Sequence, residues 1–161
     1  MPRRWIIHFK PPKLLVVILI LGLVHGLTYV FLVLPWQHYD EPSHFEYVWL
    51  VANRPGLPQP YDYDPEMRRE VAASMLEHGF YRDLGYRPNL NDEVIGIGYA
   101  QLGDPPLYYL LASLPVRLMD GQDVTLQLYA ARLVSLCLYL VVILISWSMM
   151  GRASQTVFAV Q

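Results

Sequence analysis

Residues 14–34 read LLVVILILGLVHGLTYVFLVL, a run of 21 residues without a charge. An apolar helix of roughly 20 residues is what crosses the hydrocarbon core of a bilayer, about 30 Å thick. A second uncharged run extends from Leu133 to Met150. All 14 acidic residues lie between the two runs, from Asp40 to Asp123. The basic residues outside that loop are Arg3, Arg4, Lys10 and Lys13 ahead of the first run, and Arg132 and Arg152 at the ends of the second. Lys and Arg clustered beside a short apolar segment hold that end in the cytoplasm. The pattern predicts a chain that crosses outward at 14–34, displays residues 35–122 outside and returns at 124–150. Both termini, 1–13 and 151–161, are then cytoplasmic, and a bacterial plasma membrane is the expected location.

Composition agrees with this reading. The chain has 161 residues, 54% of them hydrophobic, and the apolar residues sit in two blocks rather than in a periodic pattern. Two helices cannot enclose a polar path through lipid, which speaks against a complete transporter. A secretory signal has an apolar region of about 7–15 residues and a small-residue cleavage site. Here the run is longer and ends in Val33-Leu34-Pro35-Trp36, so an uncleaved anchor is expected. The lone Cys137 makes no internal disulfide and no cysteine metal site, and is read as a packing residue. A net charge of −2 with an acidic loop gives no basic face for nucleic acid.

Along the chain, Pro11-Pro12 precedes the first span, where proline is tolerated. His25, mid-span, reads as a neutral histidine bonded to a neighbouring helix, with an intramembrane ionisable site as the alternative. Pro35 ends the span, and Trp36 is expected in the interfacial aromatic belt. In residues 41–53, EPSHFEYVWLVAN, the positions Phe45, Val48, Trp49 and Ala52 have helical spacing. Asp40 is placed to cap that helix, with Pro42 in its first turn. Arg54-Pro55-Gly56-Leu57-Pro58 breaks it. A second helix is expected over 65–78, with Met67, Val71, Ser74, Met75 and His78 near one face and Gly79 as its stop. Residues 80–104 read as irregular, and 105–119 as an apolar helix too short to span. The fold class is therefore an all-α membrane protein: two transmembrane helices flank an outer loop whose helices (41–53, 65–78, 105–119) are amphipathic and lie along the membrane surface.

Two clusters could carry chemistry. Asp40 and Glu41 follow the first span directly, and His44 lies one helical turn beyond Asp40. A carboxylate there could take a proton from a bound hydroxyl or help hold a divalent cation, and His44 could donate to a phosphate or orient the carboxylate. The alternative is a plain helix cap. The second cluster is Asp104-Pro105-Pro106-Leu107-Tyr108-Tyr109, in which Asp104, taken alone, reads as a cap.

The order of these pieces resembles a known family. P-W-x-x-x-D-E-P-x-H-F-x-Y (residues 35–47), then Gly56-Leu57-Pro58, D-P-P-L-Y-Y-L-L (104–111) and A-R-L-V-S-L (131–136) is similar to the N-terminal part of integral-membrane glycosyltransferases with the C-type fold. The likeness is to the branch related to protein O-mannosyltransferases and the lipid A aminoarabinose transferase, and it covers residues 14–150. It implies transfer of a sugar from a polyprenyl-phosphate carrier at the outer membrane face. Asp40 would be the base or acceptor-orienting carboxylate, with Glu41 beside it in the catalytic set. His44, Asp104, Tyr108 and Arg132 would contact substrate. Relatives often carry His or Lys before the double proline, where this chain has Asp104. They also have many more membrane helices. The resemblance thus implies an N-terminal piece completed by the rest of a larger protein or by a companion subunit, inactive alone. The rival expectation is a non-catalytic two-helix membrane protein, or a subunit, whose outer loop binds a partner.

Overall fold

A computed structural model describes residues 12–98 and 101–159, with side chains to residue 150. Arg3, Arg4 and Lys10, and the side chain of Arg152, whose charges predict the orientation of the termini, lie outside the described residues. The element order is α1 (Lys13–Leu32), α2 (Glu41–Asn53), α3 (Pro65–Glu77), α4 (Leu107–Leu118) and α5 (Val124–Ala159), with no strand among the described residues. Helices α1 and α5 are long and apolar enough to cross a membrane.

Helix α1 ends at Leu32, two residues before the apolar run does. Val33 is already extended, with ψ 116°; Pro35 disfavours helical geometry in Leu34 just beyond it, so the helix could not have run on to the end of the apolar run. Helix α5 continues through Gly151 to Ala159, where a tail was expected from 151. A single glycine costs a helix only about 1 kcal/mol relative to alanine, and no proline follows to stop it.

The two long helices pack against each other over Gly22 and Gly26. A β-carbon on Gly22 would meet Ile143 and Tyr139, and one on Gly26 would run into Leu136. Glycines four apart let helix backbones approach closely, which is how apolar helices associate where no water drives them together. Gly26→Ala is expected to loosen this contact by about 1–3 kcal/mol, the usual cost of overpacking. Combining it with Leu136→Ala should return most of the loss, as read by thermal unfolding in detergent. Simple addition of the two losses would show that the glycine does not serve this contact.

The segment between the long helices is a packed head, its helices held against one another and against α5. Helix α2 is its centre, held mainly by α4 and completed by α3 and the start of α5. Of the expected face, Phe45, Val48 and Ala52 are buried and Trp49 is half-buried, but Ser43, Glu46, Tyr47, Leu50 and Val51 are buried too. The expectation of one apolar and one solvated face on α2 therefore fails. Its polar positions are neutralised by neighbours. Ser43 Oγ donates to the Asp40 carbonyl at 2.8 Å, and the Arg68 guanidinium grips the Glu46 carboxylate through Nε and Nη2. The Tyr47 ring stacks on Tyr109 at 3.8 Å. Helix α3 buries Met67, Val71, Ser74 and Met75 on one side as expected. It is capped by Asp64, whose carboxylate accepts from the N–H groups of Glu66 and Met67 at 3.1 and 3.0 Å.

Two further expectations change. Trp36 does not face outward as a belt residue would: it is fully buried, its ring meets Phe45 edge-on, and its indole N–H donates to Ser74 Oγ at 2.8 Å. Its φ of 67° is left-handed, a conformation a bulky residue adopts only where its surroundings enforce it. Cys137 is exposed on α5 instead of packed in the interior.

Candidate functional site

Between α1, α5, α4 and the first turn of α2 lies an open cleft of about 750 Å³. Its volume falls in the usual range for small-ligand sites. The upper part carries His38, Asp40, His44, Asp104 and Tyr108, and the lower part Gly26, Val30, Leu136 and Tyr139 from the two long helices. His25 is exposed and lines the lower part, instead of being buried against a neighbouring helix.

The adjacent carboxylates have separate fates. Glu41 turns inward, with its side chain only 13% exposed, and meets Arg132 from α5. Arg132 Nε donates to Glu41 Oε1 at 2.7 Å and Nη2 to Oε2 at 2.8 Å. The Trp36 N–H also donates to Glu41 Oε2, at 2.8 Å. The remaining Arg132 N–H groups go to main-chain carbonyls: Nη1 to Val30 and Val33 at 3.0 and 2.7 Å, and Nη2 to Leu34 at 3.2 Å. A guanidinium has five N–H donors, and all are used. Arg132 is thus a clamp that closes the C-terminal end of α1 onto α5 and α2, with no donor left for a substrate phosphate. Glu41 is committed to the same clamp and is not free to act as a base.

Asp40 stays in the cleft, its side chain 56% exposed. The sequence places it to cap α2, but its backbone is helical and its carboxylate makes no cap hydrogen bond. The carboxylate lies 3.3 Å from His44 Nε2 instead. On its other side, His44 Nδ1 is 2.7 Å from the Tyr109 hydroxyl, and the two rings stack. The Tyr109 hydroxyl in turn donates to Asp104 Oδ2 at 3.1 Å. Asp104 does not cap α4 either: Pro106 stands at the cap position, with no side-chain cap bond. Burial, then the hydrogen bond to Asp104, raise the Tyr109 hydroxyl far above its ordinary range. Burial, then the charge of Asp104, also raise Tyr47. Tyr108 sits at the cleft edge, its hydroxyl 2.9 Å from Ser135 Oγ.

Of the residues singled out from sequence, Asp40, His44, Asp104 and Tyr108 therefore share the cleft's open surface, while Glu41 and Arg132 form its wall. Among the described residues, no three His, Cys, Asp or Glu side chains converge to hold a metal ion. Sequence reasoning did not single out Tyr109 as a site residue, although it stands beside Tyr108 in the same motif. It also passed over Gly22 and Gly26, whose spacing was a readable signal. Compared with known proteins, the chain matches no family, no curated protein and no solved structure.

Proposed function

We propose that this chain forms the acceptor-activating end of a membrane glycosyltransferase of the C-type fold, working on a polyprenyl-phosphate-linked sugar at the outer face of a bacterial plasma membrane, with both termini in the cytoplasm. The observation that carries the reading is the cleft. It joins a carboxylate-bearing mouth to an apolar trough between two helices of membrane length, a shape suited to a molecule with a polar head and a long hydrocarbon tail. Only 17% and 22% of the apolar stretches of α1 and α5 are buried within the protein, whereas the core helix of a soluble domain is mostly buried. Helix α4 turns Leu107, Leu110, Leu114 and Leu118 outward, an apolar surface fit to lie at the membrane interface. The reaction would be a displacement at the anomeric carbon. Asp40 takes the proton of the acceptor hydroxyl, the acceptor oxygen bonds to the sugar, and the polyprenyl phosphate leaves. Further helices, from the same protein or a companion subunit, would close the open side of the cleft.

A photoreactive isoprenyl phosphate added to membranes carrying the protein is expected to label α1 and α5 near Gly26 and Leu136. Unlabelled polyprenyl phosphate should compete, and the matching polyprenol, which lacks the phosphate, should compete poorly. Labelling that excess polyprenyl phosphate leaves unchanged would defeat the proposal.

A further inference from the structure

Four side chains stand in series across the cleft: Asp40, His44, Tyr109 and Asp104, with contacts of 3.3, 2.7 and 3.1 Å. They come from the start of α2, from α4 and from the turn before it, so the series is a tertiary arrangement and not a local turn. Counting protons shows what it can do. Tyr109 has one hydroxyl proton and two neighbours. An ionised Asp104 only accepts, so the phenol gives its proton there. The contact with His44 must then be made by a proton on Nδ1, with the phenol oxygen accepting. That leaves Nε2 as the nitrogen facing Asp40.

We propose that Asp40, His44, Tyr109 and Asp104 form a proton relay that carries a proton taken up at the mouth of the cleft to Asp104. The relay rests on the reading of Asp40 as the base. Asp40 takes the proton from the acceptor hydroxyl and passes it to His44 Nε2. Nδ1 releases its proton to the Tyr109 oxygen as the phenol's own proton goes to Asp104. No electrons are transferred; the acceptor loses one proton, Asp104 gains one, and the His44 ring proton is left on Nε2, so the ring must exchange it back to Nδ1 before the next turnover. Asp104 is partly exposed and returns the proton to water. The phenol, held protonated by burial and by Asp104, hands one proton on as it receives another and never ionises alone. Tyr109 is thus a positioning and relay residue, held against Tyr47 by stacking at 3.8 Å.

The test locates the ring proton of His44 and needs no substrate. Ring-nitrogen NMR of the detergent-solubilised chain, with His44 assigned by loss of its signals in His44→Gln, is followed upward in pH until the ring is neutral. The wild-type ring is expected to keep its proton on Nδ1. Tyr109→Phe removes the acceptor for that proton, which should move to Nε2 beside Asp40. Asp104→Ala should produce the same move, because the freed phenol can then donate to Nδ1. Asp104→Ala does not touch His44 and alters only a partly exposed turn, so it decides the matter even if Tyr109→Phe misfolds. A neutral wild-type ring protonated at Nε2, or an Asp104→Ala ring still protonated at Nδ1, overturns the relay. Transfer activity that survives Asp40→Asn overturns the reading of Asp40 as the base instead and leaves the ring tautomer as measured.

Discussion

Arg132→Ala is expected to destabilise the fold by about 3–5 kcal/mol, the range for breaking a buried ion pair by removing one partner. The reason is what the guanidinium leaves behind. Glu41 would remain largely buried with a full charge and only the Trp36 N–H as partner. The carbonyls of Val30, Val33 and Leu34 at the end of α1 would lose their donors in the same step. Arg132→Lys should recover little, since an ammonium cannot present the planar fork that serves Glu41 and three carbonyls together. Glu41→Gln should also destabilise, because the amide turns its own N–H groups toward Arg132 donors. Replacing both charges, as Arg132→Met with Glu41→Leu, should fall well short of the sum of the single losses, since no charge is then stranded. Thermal unfolding in detergent would measure these variants together with Arg132→Met and Glu41→Leu alone. An Arg132→Ala protein within 1 kcal/mol of wild type would mean that the clamp contributes no stability.

How much of this was legible in the sequence depends on the range of the interaction. Helices α2 and α3 could be placed from local signals: proline in the first turn, the break at Arg54-Pro55-Gly56, and Gly79 after the second. Such signals act within one helical turn, where sequence neighbours are spatial neighbours. The Glu41–Arg132 clamp joins residues 91 apart, and the Trp36–Ser74 bond residues 38 apart. Neither leaves a local trace. The sequence shows two adjacent carboxylates after a membrane-length run, but not which of them turns inward. The sheltered one is chosen by Arg132 from the far side of the chain. Likewise the apolar spacing of α2 found Phe45, Val48 and Ala52, but α2's polar side could not be recognised as buried before Arg68 and Tyr109 were known to meet it. In the cleft, Asp40, His44 and Asp104 could be picked out as chemistry-bearing residue types, whereas their linkage through Tyr109 is tertiary.

The division of labour between the two carboxylates sharpens the functional test. On the proposed transferase function, Asp40→Asn is expected to lower the transfer rate by roughly 10²–10⁴-fold, the usual contribution of general-base catalysis, while the protein stays as stable as wild type. Stability should hold because Asp40 is exposed and caps nothing. A capping aspartate would cost about 1 kcal/mol on replacement by alanine, so Asp40→Ala should also leave the unfolding temperature nearly unchanged. Asparagine keeps the size of the side chain and removes its charge and basicity, which isolates the chemical role. Glu41→Gln should fail in the opposite way, losing stability first and activity as a consequence. Measured together, rate and unfolding temperature separate a base from a strut: Asp40 variants should move only the first, and Glu41 variants both. An Asp40→Asn enzyme that turns over at the wild-type rate would remove the carboxylate from the reaction, and an Asp40→Ala protein that unfolds about 1 kcal/mol more easily would return it to the role of a cap.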